Sequence, residues 1–137
     1  MNGQLILQTQ KRHLTALGGE EVWSRTISVL DSKKAFVNRF QFMCAAISAD
    51  IQNPEGSGAC VLEWIRKVES GEIDFADVDG NAWVMNIARE KVWFEGLYSQ
   101  GEGGEVTFKQ FKMAVDTYVK FLADPESKAV EIPFPES

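Results

Sequence analysis

The feature that most constrains this chain is a change of hydrophobic period. After two strand-like runs in 4–9 and 22–30, the apolar residues recur at helical spacing from Phe36 to Gly71, from there to about residue 98 they alternate, and after Thr107 the helical spacing returns. Spacings of three and four place side chains on one stripe of a helix, and a spacing of two places them on one face of a strand. A chain that holds these patterns in blocks folds as α+β, with antiparallel strands and helices laid on them, because strict strand–helix alternation would be needed for a parallel sheet.

The residues divide accordingly. Leu5, Ile6 and Leu7 within 4–9 and the β-branched run 22–30 read as two strands, with Trp23, Arg25, Ile27 and Val29 on one face and Gly18-Gly19 in a hairpin loop between them. Phe36, Phe40, Met43, Ile47 and Ile51 form one stripe of a long helix that Asp31 or Ser32 can cap and that Pro54 and Gly56-Ser57-Gly58 end. Residues 59–70 make a second helix with Val61, Leu62, Ile65 and Val68 inward, stopped by Gly71. A three-stranded meander follows. Ile73, Phe75 and Ala76 lie in its first strand, Asp79-Gly80 suits a type I′ turn, and Trp83, Met85 and Ile87 share a face of the second. In 91–98, Val92, Phe94 and Tyr98 oppose Trp93 and Leu97. Gly101, Gly103 and Gly104 predict a mobile loop. Thr107 and Gln110 make a capping box for a last helix, whose stripe is Phe108, Phe111, Val115, Tyr118 and Leu122 and which Pro125 stops. The tail 125–137 is open between an edge strand and a loose end. The expected order is ββααβββα in a single domain spanning 1–137, since the 137 residues suit one domain and no linker divides them.

Several chemistries find no footing. Cys44 and Cys60 have no zinc spacing, and Cys44 reads as a small buried hydrophobe. His13, the only histidine, reads as a solvated loop residue, which leaves a nucleophile without a base. Asp77-Val78-Asp79-Gly80 resembles a calcium loop, but aligning Gly80 with the turn glycine puts Phe75 and Asn86 where carboxylates are required. The loop 101–105 precedes a helix start yet carries two carboxylates and no lysine, the wrong charge for phosphate. No catalytic residue, metal or cofactor is therefore expected. No leader or membrane span is legible, which points to a cytoplasmic protein.

The net charge of −6 disfavours nucleic acid as a partner and favours cationic ones. It is unevenly spread. Residues 1–41 hold six bases against three acids, whereas residues 69–105 hold nine acids against two bases. Acids mixed with apolar side chains are typical of recognition surfaces, and an aromatic on the wet face is a natural hot spot. Glu72, Asp74, Asp77, Asp79, Glu95, Glu102, Glu105 and Trp93 are the candidate partner-binding residues.

Leu62-Glu63-Trp64-Ile65, Gly80-Asn81-Ala82-Trp83, Phe94-Glu95-Gly96-Leu97-Tyr98, Gly103-Gly104-Glu105-Val106-Thr107-Phe108, Phe111, Ala114-Val115, Tyr118 and Phe121-Leu122 together resemble the small bacterial immunity proteins that accompany polymorphic toxins, including those of contact-dependent growth inhibition systems. The resemblance covers about residues 60–123, and residues 1–58 match nothing placeable. It implies a cytoplasmic protein that binds one cognate toxin domain, often a nuclease, and blocks it. No shared catalytic motif exists to carry a site residue over. The alternatives are a regulatory or adaptor module acting through protein contacts, also as a homodimer, and an enzyme built around His13 or Cys44.

Overall fold

The structure is a computed structural model and describes residues 4–15, 18–19 and 21–137. The α+β class holds, and the strands divide into two antiparallel sheets rather than one. Sheet A has the order β2-β1-β7, from β1 (Leu5–Thr15), β2 (Glu21–Leu30) and β7 (Val130–Phe134). Sheet B is a meander of consecutive hairpins: β3 (Phe75–Asp79), β4 (Trp83–Ala88), β5 (Val92–Gly96) and β6 (Glu102–Val106). The helices are α1 (Gln41–Asp50), α2 (Ser57–Ser70) and α3 (Phe108–Ala123).

Helix α1 packs against β2 on one side and against β4, β5 and β6 on the other. Helix α3 lies along β1 and α2, and its Phe111 ring meets Phe94 of β5 at 5.9 Å. The inward faces of the two sheets, carrying Leu7, Ile27 and Val29 from A and Met85, Ile87 and Phe94 from B, join the helices in one continuous buried cluster. Each sheet thus covers its apolar face and leaves the other to water.

Several local expectations are corrected. The stripe from Phe36 to Ile51 is not one helix. Phe36 is 67% exposed and bridges Leu30, a 3₁₀ turn spans Asn38–Phe40, and α1 begins only at Gln41. Asp31 caps no helix; its carboxylate accepts the N–H groups of Lys33 and Ala35 and so closes the turn after β2. His13 lies in β1, opposite Trp23, rather than in a loop, and the Trp23 side chain falls outside the described residues. The glycine-rich stretch 101–104 enters strand β6, because Phe42 of α1 packs directly over Gly101 and Gly104, where any side chain would collide with its ring. The tail is a strand, β7, paired with β1 from Leu5↔Phe134 to Thr9↔Val130.

The turn after β3 is also different. Gly80 is not among the residues with positive φ, so the hairpin is not type I′. Its glycine is needed because the carboxylate of Asp50, the last residue of α1, fills the space a Cβ would occupy. Other punctuation holds as expected. Gly71 stops α2 in the left-handed conformation at φ 82°, and the Thr107–Gln110 capping box is complete. The Gln110 amide also donates to the Pro135 carbonyl at 2.9 Å, tying the tail to α3.

Thr9 is fully buried on the inward face of β1, and among the described residues its hydroxyl has no partner. An unmatched buried hydroxyl costs about 1–3 kcal/mol, and valine has nearly the same shape. Thr9→Val is expected to raise stability by about 1 kcal/mol in urea unfolding. A loss of stability would mean that the hydroxyl is satisfied in solution.

Candidate interaction surface

Side chains of odd number in β4 point inward, since Trp83, Met85 and Ile87 are buried, so Val84, Asn86 and Ala88 face out. The register carries this outward face across the sheet. Asp79 opposes Val84, Val84 opposes Glu95, and Glu95 opposes Glu102, making one row across four strands with three carboxylates and no base. The next row runs Asp77, Asn86, Trp93. At the far end lie Phe75 and Ala88, with Lys91 following the turn and Glu105 reaching in from the bulged edge strand.

The side chains interlock. Phe75 and Trp93 stack across the small Ala88 with ring centroids 5.8 Å apart and planes inclined by 28°. Lys91 places its Nζ 5.3 Å from the Trp93 ring centre and 3.2 Å from Glu105 Oε2. Asn86, only 5% exposed beneath this layer, donates to Glu95 Oε1 at 2.9 Å. Asp77, Asp79 and Glu102 are exposed and, among the described residues, form no ion pair.

Two turns meet beyond the carboxylate row. The Ala82 carbonyl accepts the Leu97 N–H at 2.9 Å and the Gln100 amide at 2.8 Å, binding the β3–β4 turn to the β5–β6 turn. Tyr98 stands out from this rim with 73% of its surface exposed.

Of the residues singled out in the sequence, Asp77, Asp79, Trp93, Glu95, Glu102 and Glu105 come together on this face. Asp74 is exposed in the bend that leads into β3. Glu72 stands apart, at the end of α2, where it pairs with Arg66 at 3.5 Å and Lys67 at 3.9 Å. Phe75, Asn86 and Lys91 were not singled out. Phe75 shares strand parity with Asp77 and Asp79, and Lys91 with Trp93 and Glu95, so alternation alone places both on the face.

The opposite surface of the molecule makes the contrast. The outward face of sheet A carries Gln8, Gln10, Thr26 and Ser28 together with Arg12 and Glu131, and Glu131 is answered by Lys34 at 3.0 Å and by the Gln8 amide, so its few charges are of both signs. Sheet B instead exposes carboxylates around an aromatic pair, including two glutamates directly opposed across β5 and β6, an arrangement that destabilises a sheet.

Reactive groups elsewhere are sparse. Both cysteines are free, and burial pushes the Cys44 thiol up to about 12, so it supplies no thiolate at neutral pH. Among the described residues no group of three His, Cys, Asp or Glu side chains is placed to hold a metal ion, and no helix is long and apolar enough to cross a membrane. No protein family, curated protein or solved structure matches the chain significantly.

Proposed function

We propose that the protein is a toxin-immunity protein that binds and neutralises a cognate cationic toxin domain, a nuclease in the simplest case, through the open face of sheet B. The observation that carries this reading is the row Asp79, Glu95, Glu102 with its neighbour Asp77, laid out on a sheet beside the stacked pair of exposed Phe75 and half-buried Trp93. A nuclease must hold phosphates and so presents a cationic active face; an acidic sheet meets such a face quickly through charge complementarity. Side chains carried on strands lose little freedom on docking, which favours tight binding. The resemblance over about residues 60–123 points the same way. Cytoplasmic residence belongs to this proposal, since the toxin acts there.

The direct experiment is affinity capture from host lysate with the tagged protein, followed by mass spectrometry, run beside a triple variant Asp77→Lys, Asp79→Lys, Glu102→Lys. Recovery of a cationic toxin domain by the unmodified protein and not by the variant is the expected result. Equal recovery by both removes the face from the reading, and recovery of no toxin removes the function.

A second reading, a regulatory or adaptor module acting as a homodimer, draws on one observation. Phe36 is exposed beside the edge strand β2, next to a shallow groove of about 150 Å³ lined by Val29, Val37, Phe40 and Cys44. Sedimentation equilibrium separates the two, because the adaptor reading requires a dimer without added partner.

A further inference from the structure

We infer that the partner anchors on sheet B through an arginine, whose guanidinium takes the place that Lys91 holds over Trp93 in the free protein. This rests on the docking reading above and names the chemistry of its central contact. The Phe75–Trp93 stack forms an aromatic surface at the end of sheet B, beyond Asp77 and beside Glu105, and Phe75 is 46% exposed. Lys91 already lies over that surface, with its charge answered by Glu105, so the site holds a cation even without a partner. The pair is exposed on both sides, at 52% and 60%, and exposed pairs of this kind are weak enough to exchange. A guanidinium is the better occupant. It is planar and less strongly hydrated than an ammonium, it stacks on an indole face, and it meets a carboxylate such as Glu105 with two parallel hydrogen bonds. Asp77, exposed in the row that contains Trp93, adds negative potential at the same place. Ala88 beneath keeps the approach clear.

Lys91 then acts as an internal competitor. It keeps the indole and Glu105 occupied until a cation of better shape arrives, and it discourages partners that offer lysine alone.

The test uses the full chain and two peptides of equal charge, ten arginines and ten lysines, titrated at low salt by calorimetry. Arginine is expected to bind about fivefold tighter, the size of an exposed cation–π gain. Lys91→Met, which keeps the aliphatic stem and removes the charge, raises the affinity for the arginine peptide about threefold. Trp93→Leu makes the two peptides equal without abolishing binding. Equal affinities in the unmodified protein, or an arginine preference that survives Trp93→Leu, overturn the inference. The triple variant Asp77→Lys, Asp79→Lys, Glu102→Lys separates the two levels. If both peptides bind alike and both are lost with the triple variant, the docking face stands and the arginine anchor falls. If neither peptide binds, or the triple variant changes nothing, both fall.

Discussion

Replacing Asp77, Asp79 and Glu102 with lysine lowers the rate of association with the cationic partner by about tenfold to a hundredfold at low salt, the range that electrostatic steering spans. The sign follows from the face itself. Three exposed carboxylates become three cations, so the long-range attraction turns to repulsion before any contact forms. The difference should shrink as salt is added, because charges separated by more than a Debye length are screened. The dissociation rate changes less, since rim charges act mainly on encounter. Stability serves as the internal control: the three side chains are exposed, and the change at Glu102 relieves its repulsion with Glu95, so thermal unfolding should occur no lower than in the parent. Glu72→Lys is the matched negative. Glu72 lies off the face and already pairs with Arg66 and Lys67, and its reversal should leave the association rate within about twofold. Stopped-flow measurements across a salt series decide the matter; an association rate for the triple variant equal to the parent's at low salt would sink the docking face.

The second large effect is on stability. Asp50→Ala is expected to cost about 3 kcal/mol, with a fall in Tm of about 10 °C. Asp50 is 8% exposed, and its two oxygens accept separate backbone donors, Oδ1 from Ala82 at 2.9 Å and Oδ2 from Trp83 at 3.0 Å. Each is a charge-assisted bond worth about 1.5–3 kcal/mol, and truncation leaves two backbone N–H groups without partners in a partly closed space. Asp50→Asn keeps the shape but turns an N–H₂ towards one of those donors, so about half the loss should remain. Gly80→Ala should cost as much as Asp50→Ala, because the new methyl meets the Asp50 carboxylate. Urea unfolding measures all three. A loss below about 0.5 kcal/mol for Asp50→Ala would show that the turn holds itself. Because this turn sets where Asp79 and Val84 enter the carboxylate row, the same variant also loosens the docking face.

These two cases mark what could be read from the sequence. Asp77, Asp79, Trp93 and Glu95 were legible because alternation places a strand residue on a face without reference to anything distant. The capping box at Thr107 and the stripe from Phe108 to Leu122 were legible for the same reason, since their spacing is set within one helix. The failures involve partners far along the chain. Gly80 looks like a turn glycine, and only the arrival of Asp50 from thirty positions upstream gives its real purpose. Gly101, Gly103 and Gly104 look like a mobile loop because glycine carries no pattern; their strand is imposed by β5 on one side and Phe42 on the other. The long helix from Phe36 fails because the spacing continues through residues that are held instead by a bridge to Leu30. Glu72 belongs to the acidic run on paper, but the chain there has not yet entered the strand, which begins at Phe75.

The seam between β1 and β7 has a mechanical meaning. Leu5 lies opposite Phe134, so the starts of one strand and the end of the other leave the sheet at the same corner. A tension applied through those two positions would load the hydrogen bonds one after another, as a zipper is opened, instead of shearing all of them at once. Behind that corner stand the Gln110–Pro135 bond, the Arg39 guanidinium donating to the Glu136 carbonyl at 2.6 Å, and the Phe134 ring against Phe40, 5.4 Å away. Sheet A therefore gives way first at β7 under a pull, while the hairpins of sheet B, which lie outside the line of force, keep their carboxylate row intact.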